Sequence, residues 1–249
     1  VGVQNERIYA AREFKKADDR PGNYKATGGH GGVLGTVGPP VTIWYKPAYQ
    51  HTAASDVNVS RLPQELVFQD MAGTASPITL RIKDPDGTLR PGNIPRVTIV
   101  KYGSYMDEDD TQNPDDEVDI MARVQKALQD QRTVDGSRPQ LHGFILEGTS
   151  PYGMGSGSQM AALAIAAFNG MPVVRVGRAD PGGRVPNDRG AHTIAGSNLD
   201  ANKARLLLMA SMMKLGRLPK AADPRNPSQK EKDAVAAKLA EYQQIFENH

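Results

Sequence analysis

The pattern of apolar and polar positions divides the chain into two unlike parts. From Arg96 onward, runs of strand length alternate with stretches of helical period, which is the arrangement of a parallel sheet covered on its faces. Arg96 to Tyr102 is a β-branched run, and Gly143 to Glu147 is the next strand. Between them Val118, Met121, Val124 and Leu128 recur as one face of a helix, with Asp115 and Asp116 as its capping carboxylates. Gln159 to Phe168 is almost wholly apolar, stops at Asn169-Gly170 as a helix does, and leads into a buried strand, Pro172 to Val176. Asp200 to Leu215 reads as a further helix. Val235, Leu239, Tyr242 and Phe246 place an apolar stripe on a last amphipathic one.

Before Arg96 the pattern is weaker. Val1 to Val3 reads as the end of a strand already in progress, which implies an upstream region, and Val41 to Tyr45 as a short extended piece. No helical period runs long enough there to build a core. Leu66 to Ile82 alternates as a strand does, and Asp84-Pro85-Asp86-Gly87 then supplies turn chemistry, so a hairpin or inserted loop is expected there. Proline and glycine cluster at Thr27 to Pro40 and at Asp84 to Pro95. The predicted organisation is α/β: the end of a first domain over 1–62, a linker or insertion over 63–95, and a C-terminal α/β domain over 96–249.

The 249 residues weigh 26.9 kDa, enough to bury a core without staples. Thirty basic against 28 acidic side chains leave a net charge of +2, too little bias to point to a nucleic acid or an anionic membrane. No apolar run approaches the roughly 20 residues of a membrane span. With no cysteine, disulfides, thiolate metal sites and cysteine nucleophiles are excluded. Val1-Gly2-Val3-Gln4-Asn5 has neither the basic head nor the apolar stretch of a secretion signal, so a cytoplasmic location is expected, with the periplasm open if a leader has been removed.

The richest chemistry lies in Glu147 to Ser158, a glycine-rich loop between a strand end and a helix start. Sites in open α/β sheets sit beyond the C-terminal strand ends, and a helix N-terminus favours a carboxylate or phosphate. Gly153, Gly155 and Gly157 miss the dinucleotide spacing, and the Gly-Lys-Ser/Thr of a phosphate loop is absent, so the loop either binds a ligand or merely closes the βα unit. Ser156 and Ser158 lack the elbow that exposes a nucleophilic serine. The five histidines, His30, His51, His142, His192 and His249, show no ligand spacing, and Asp107 to Asp110 with Asp115 to Glu117 lack the pattern of a calcium loop. Arg175 and Arg178 either hold a substrate carboxylate in a fork or brace a subunit contact. Lys203 and Arg205, in the first turns of a helix where the dipole disfavours cations, require a fixed partner.

A longer series of segments carries a resemblance. Val3 to Ile8 is followed by Ala11-Arg12 and Lys15; Tyr24-Lys25 leads into the glycines up to Gly35; His51-Thr52 precedes Ser55-Asp56-Val57. Gly143 to Gly148, Val173-Val174-Arg175, Gly196, and Asn198-Leu199-Asp200-Ala201-Asn202-Lys203-Ala204-Arg205-Leu206-Leu207-Leu208 follow, and Tyr242 to Phe246 ends the series. In this order they resemble the bacterial-type L-asparaginase and glutaminase family over nearly the whole chain, the Asn-x-x-Lys-Ala-Arg-x-Leu-Leu helix start being the most specific piece.

The resemblance implies an asparaginase-type C-terminal domain in an amidohydrolase that works through a threonine acyl-enzyme, without metal or organic cofactor. The family's Thr-Gly-Gly-Thr and Thr-Asp-Thr segments have no match here; Thr27-Gly28-Gly29 falls in the later Phe-Lys and glycine region. No catalytic residue is therefore assigned to this chain, and the threonines are expected upstream or on a partner. The family's C-terminal domain lends a neighbouring site an asparagine and an acid. Ser150, Pro151, Tyr152 and Gly153 fall where the asparagine is expected, with one residue inserted, and Asn187 and Asp188 stand in the second loop without a clear acid match. The implied substrate-binding set is Glu147, Ser150, Tyr152, Gly153, Asn187 and Asp188, with Tyr152 offering an aromatic wall to an amide or imide. The implied partners are an N-terminal catalytic chain pairing against the edge at Val1 to Ile8, further copies in a dimer of dimers or tetramer-like assembly, and a small amide, with no nucleic acid and no membrane. A noncatalytic scaffold of the same fold and a nucleotide-binding protein using Gly153 to Ser158 are the rival expectations.

Overall fold

The computed structural model describes residues 1–26, 32–46, 54–70, 77–103, 111–132, 138, 140–149, 151–178, 185–187 and 192–249. The first part forms short strands: β1 (Gly2–Gln4), β2 (Arg7–Tyr9), β3 (Phe14–Lys16), β4 (Tyr24–Ala26), β5 (Val33–Thr36) and β6 (Thr42–Ile43). β1, β2, β5 and β6 make an antiparallel sheet, and β3 pairs with β4. Val1 to Ile8 is thus not one edge strand. Asn5 and Glu6 both adopt positive φ and turn the chain back, so that β1 alone is the edge and β2 is covered on both sides. Strands this short bury little: Ile8, Ala10 and Leu34 form their own small cluster.

The strand-like stretch Leu66 to Ile82 is two strands, β7 (Glu65–Gln69) and β8 (Pro77–Arg81), paired antiparallel ahead of the Asp84 to Gly87 turn. Its alternation sends Leu66, Phe68 and Leu80 inward and leaves Val67 exposed. Asp84 to Gly87 closes the next turn, with Gly87 N–H donating to the Asp84 carbonyl at positive φ.

The chain then alternates β9 (Arg96–Lys101), α1 (Val118–Gln131), β10 (His142–Gly148), α2 (Gly157–Phe168), β11 (Val173–Gly177) and β12 (Ile194–Ala195), followed by α3 (Ala201–Leu215) and α4 (Gln229–Asn248). All pairings among β9 to β12 are parallel, in the order β12-β11-β10-β9, so the fold is α/β with a four-stranded parallel sheet flanked by helices. Alternate side chains feed two cores. Leu141, Ile145, Val174 and Val176 face α3, α4 and the β7–β8 hairpin, whereas Phe144, Leu146 and Val173 face α1 and α2. β10 and β11 are buried on both faces, which explains their unbroken apolar runs.

The helices follow their caps. Ser156 and Ser228 each form a capping box, with Gln159 and Glu231, and the Asp200 carboxylate accepts from Lys203 N–H. At α1 the expected caps are displaced. Asp115 and Asp116 sit in a short 3-10 turn (Pro114–Asp116) capped by Asn113, and α1 starts from Glu117 without a side-chain cap. That extra turn rotates Val118 out of the apolar face, leaving it exposed, while Ile120, Val124 and Ala127 carry the burial. Among the described residues no helix is long and apolar enough to cross a membrane.

Candidate functional site

The loops that follow β9 and β10 meet at the C-terminal edge of the parallel sheet. Tyr102 N–H donates to the Glu147 carbonyl (3.0 Å), and the Gln159 side chain donates to the Lys101 carbonyl (3.0 Å), tying both loops to the start of α2. Gly157 allows this approach: a Cβ there would lie 2.5 Å from the Thr111 carbonyl oxygen.

Thr149 and Met154 close a tight turn. Thr149 N–H donates to the Met154 carbonyl (2.9 Å) and Gly153 N–H to the Thr149 carbonyl (2.7 Å). Gly153 is buried with φ +64°, and a Cβ at this position would stand 2.9 Å from the Val176 carbonyl oxygen, so only glycine fits. Arg175, 1% exposed, holds the turn from beneath. Its guanidinium donates to the Tyr152 carbonyl and, through Nε, to Thr193 Oγ1 (2.8 Å). Both contacts lie within the chain, fixing one carbonyl of the loop and the segment leading into β12. The Arg178 backbone N–H adds a hydrogen bond to the Gly148 carbonyl (2.8 Å).

The side chains of Glu147 and Tyr152 are half-buried in this frame. Glu147 stands 3.7 Å from Lys101 across the strand pair. Ser156 and Ser158 are buried, their hydroxyls 3.2 Å apart, and Ser156 is engaged as the helix cap. Asn187 takes another direction, donating to Glu247 of α4 (3.2 Å). Ser150 and Asp188 lie outside the described residues, as do His30, His51, Asp107 to Asp110 and Thr27 to Gly29.

The remaining histidines are spread through the fold. His142 is buried 3.9 Å from Asp130, His192 stacks edge-on against Phe168, and His249 contacts Ser55 (2.6 Å). Burial, aided by the charge of Lys232, holds the His192 pKa below its usual value. Among the described residues no group of three or more His, Cys, Asp and Glu side chains is placed to hold a metal ion.

Sequence reasoning missed a long-range lock. Arg12 Nε donates to Asn198 Oδ1 (2.7 Å), Asn198 donates to Glu13 (2.9 Å), and Lys203 Nζ donates to the carbonyls of Arg12 (2.9 Å) and Phe14. Lys203 thus has its fixed partner, while Arg205 is exposed. The lock joins positions about 190 apart in sequence, and the only available signal was the presence of a cation in the first turn of α3.

No protein-family model matches the chain, and no curated protein matches it.

Proposed function

We propose that the chain is a subunit, or the C-terminal part, of an asparaginase-like amidohydrolase. The observation that carries this reading is the braced turn at residues 149–154, which holds Glu147 and Tyr152 at the C-terminal edge of the sheet beside a helix start, where a small polar substrate is received. A second support is the lock itself: Ala11 to Lys15 and Asn198 to Arg205, both among the segments that resemble the family, are joined by hydrogen bonds.

In this reading a threonine hydroxyl from a partner or upstream segment attacks the amide carbonyl. The C–N bond breaks, the leaving amine or ammonia carries off a proton, and water cleaves the resulting ester to the acid. Backbone N–H groups hold the oxyanion. This chain provides scaffold, interface and the side chains near Glu147 to Tyr152 that select the amide, with no metal or organic cofactor in any step.

The test is native copurification with intact mass and N-terminal sequencing, followed by an ammonia-release assay on a panel of small amides. A copurifying or upstream region with Thr-Gly-Gly-Thr and Thr-Asp-Thr segments, amide hydrolysis, and a raised KM in Tyr152→Ala are expected. Absence of hydrolysis by the complete assembly refutes the proposal and leaves a noncatalytic scaffold. An unchanged KM in Tyr152→Ala removes Tyr152 from substrate recognition.

A further inference from the structure

A cavity lies at the opposite edge of the sheet from the braced turn. It has a volume of about 790 Å³ and opens between the β7–β8 hairpin, the turn before β9, the end of α1 and the segment after α3. Local structure places its central cation. α3 ends at Gly216, whose φ of +81° lets the Phe68 ring pack on the backbone, since a Cβ there would lie 2.7 Å from that ring. The next residue, Arg217, is 5% exposed; its guanidinium lies over Phe68, 5.3 Å from the ring centre, and 2.5 Å from Asp70 Oδ1. Lys220 Nζ approaches the same oxygen at 3.4 Å.

The charges lining the cavity do not balance. Five cationic side chains face two carboxylates, Asp70 and Asp84. Asp84 is taken by Arg90 (3.3 Å), and Arg81 reaches Glu65 outside the cavity (3.3 Å). Asp70 is left as the single carboxylate serving Arg217, Lys220 and the nearby Arg132. Burial, reinforced by the charges of Arg217 and Arg132 and opposed by Asp70, lowers the Lys220 pKa. Hydrogen bonding is incomplete as well. Arg217 Nε and both polar atoms of the Gln131 carboxamide are buried without a partner among the described residues, a rare condition for polar groups in a native interior.

We propose that this cavity binds a small anion, a carboxylate- or phosphate-bearing metabolite, held by Arg217, Lys220 and Arg132. Arg217 is preorganised by Phe68 and Asp70, half-buried Lys220 and exposed Arg132 supply further positive charge, and a small turn of the Gln131 amide gives the ligand both a donor and an acceptor. The site shares no residue with the proposed amide site, so each proposal can fail alone.

The test uses the purified native protein with malonate and inorganic phosphate as probes, read by calorimetry and by thermal shift, with chloride at equal ionic strength to remove general screening. Saturable binding of one probe or both above the chloride control is expected; malonate alone assigns the carboxylate class and phosphate alone the phosphate class. Lys220→Gln and Arg132→Gln, both away from the core, each weaken binding at least about tenfold, as loss of a charge-assisted contact does. Absence of saturable binding, or unchanged affinity in both variants, overturns the proposal.

Discussion

Tyr242→Phe gives the most direct test of the packing beneath α3. Tyr242 is fully buried among α3, α4 and the β7–β8 hairpin, and its hydroxyl donates to the carbonyl of Gly216, the residue that ends α3. Phenylalanine keeps the ring and removes one donor, leaving a buried carbonyl unpaired, which costs about 1–3 kcal/mol. At about 2–4 °C per kcal/mol for a chain of this size, the melting temperature falls by roughly 2–12 °C. The pH dependence supplies an independent check. Burial pushes the Tyr242 pKa well above its ordinary value, so above about pH 10 the unfolded chain releases a proton that the native state retains. Stability from this raised pKa is complete below about pH 10 and is lost as pH rises towards the raised native value. The variant has no such group, so the gap between wild type and Tyr242→Phe narrows between pH 8 and pH 11. Urea melts at both pH values measure it. Equal stability at pH 8, or a gap that stays constant to pH 11, refutes the assigned burial and hydrogen bond.

Four further outcomes follow from the geometry. Gly153→Ala forces a side chain into a left-handed backbone position against the Val176 carbonyl, and should cost about 1–3 kcal/mol in denaturant melts, with faster proteolysis of the 149–154 turn. Arg175→Met removes the hydrogen bonds to the Tyr152 carbonyl and Thr193, so the same turn loosens by hydrogen exchange, whereas β10 and β11 stay protected. Lys203→Met removes charge-assisted bonds worth about 1.5–3 kcal/mol and should expose residues 8–16 to proteolysis before the parallel sheet opens. Asp130 is 1% exposed; burial raises its pKa, but Lys126, Arg138 and His142 outweigh that and hold it below the usual range. Its stabilisation is therefore present above about pH 4 and lost as pH falls through the lowered native value, and Asp130→Asn should flatten the acid limb of a stability–pH curve.

The C-terminal half was legible because its signals are local and redundant. The apolar runs of β10 and β11, the stop at Asn169-Gly170, and the spacing of Val235, Leu239, Tyr242 and Phe246 each act within a few residues. β12 gave no comparable signal, because two residues beside a glycine carry no period. The same holds for β1 to β6, whose strands of two to four residues depend on their partners more than on their own alternation. Val118 misled because a 3-10 turn precedes α1, and sequence spacing cannot set the rotation at which a helix begins. At the candidate site, the glycine-rich turn was visible, yet the contacts that fix it come from Arg175, 23 residues beyond Tyr152. Asn187 belongs to α4 by its hydrogen bond, a relation that spans 60 residues and leaves no local trace.

The strand order carries one more consequence. An open α/β sheet makes its ligand crevice where successive connections depart in opposite directions, so that two neighbouring loops splay apart. From β9 through β12 each strand is added on the same side of the last, and the described sheet contains no such divergence. The Gln159 side chain stitches the end of β9 to the start of α2. A ligand enclosed at this edge needs an opposing wall from outside the four strands.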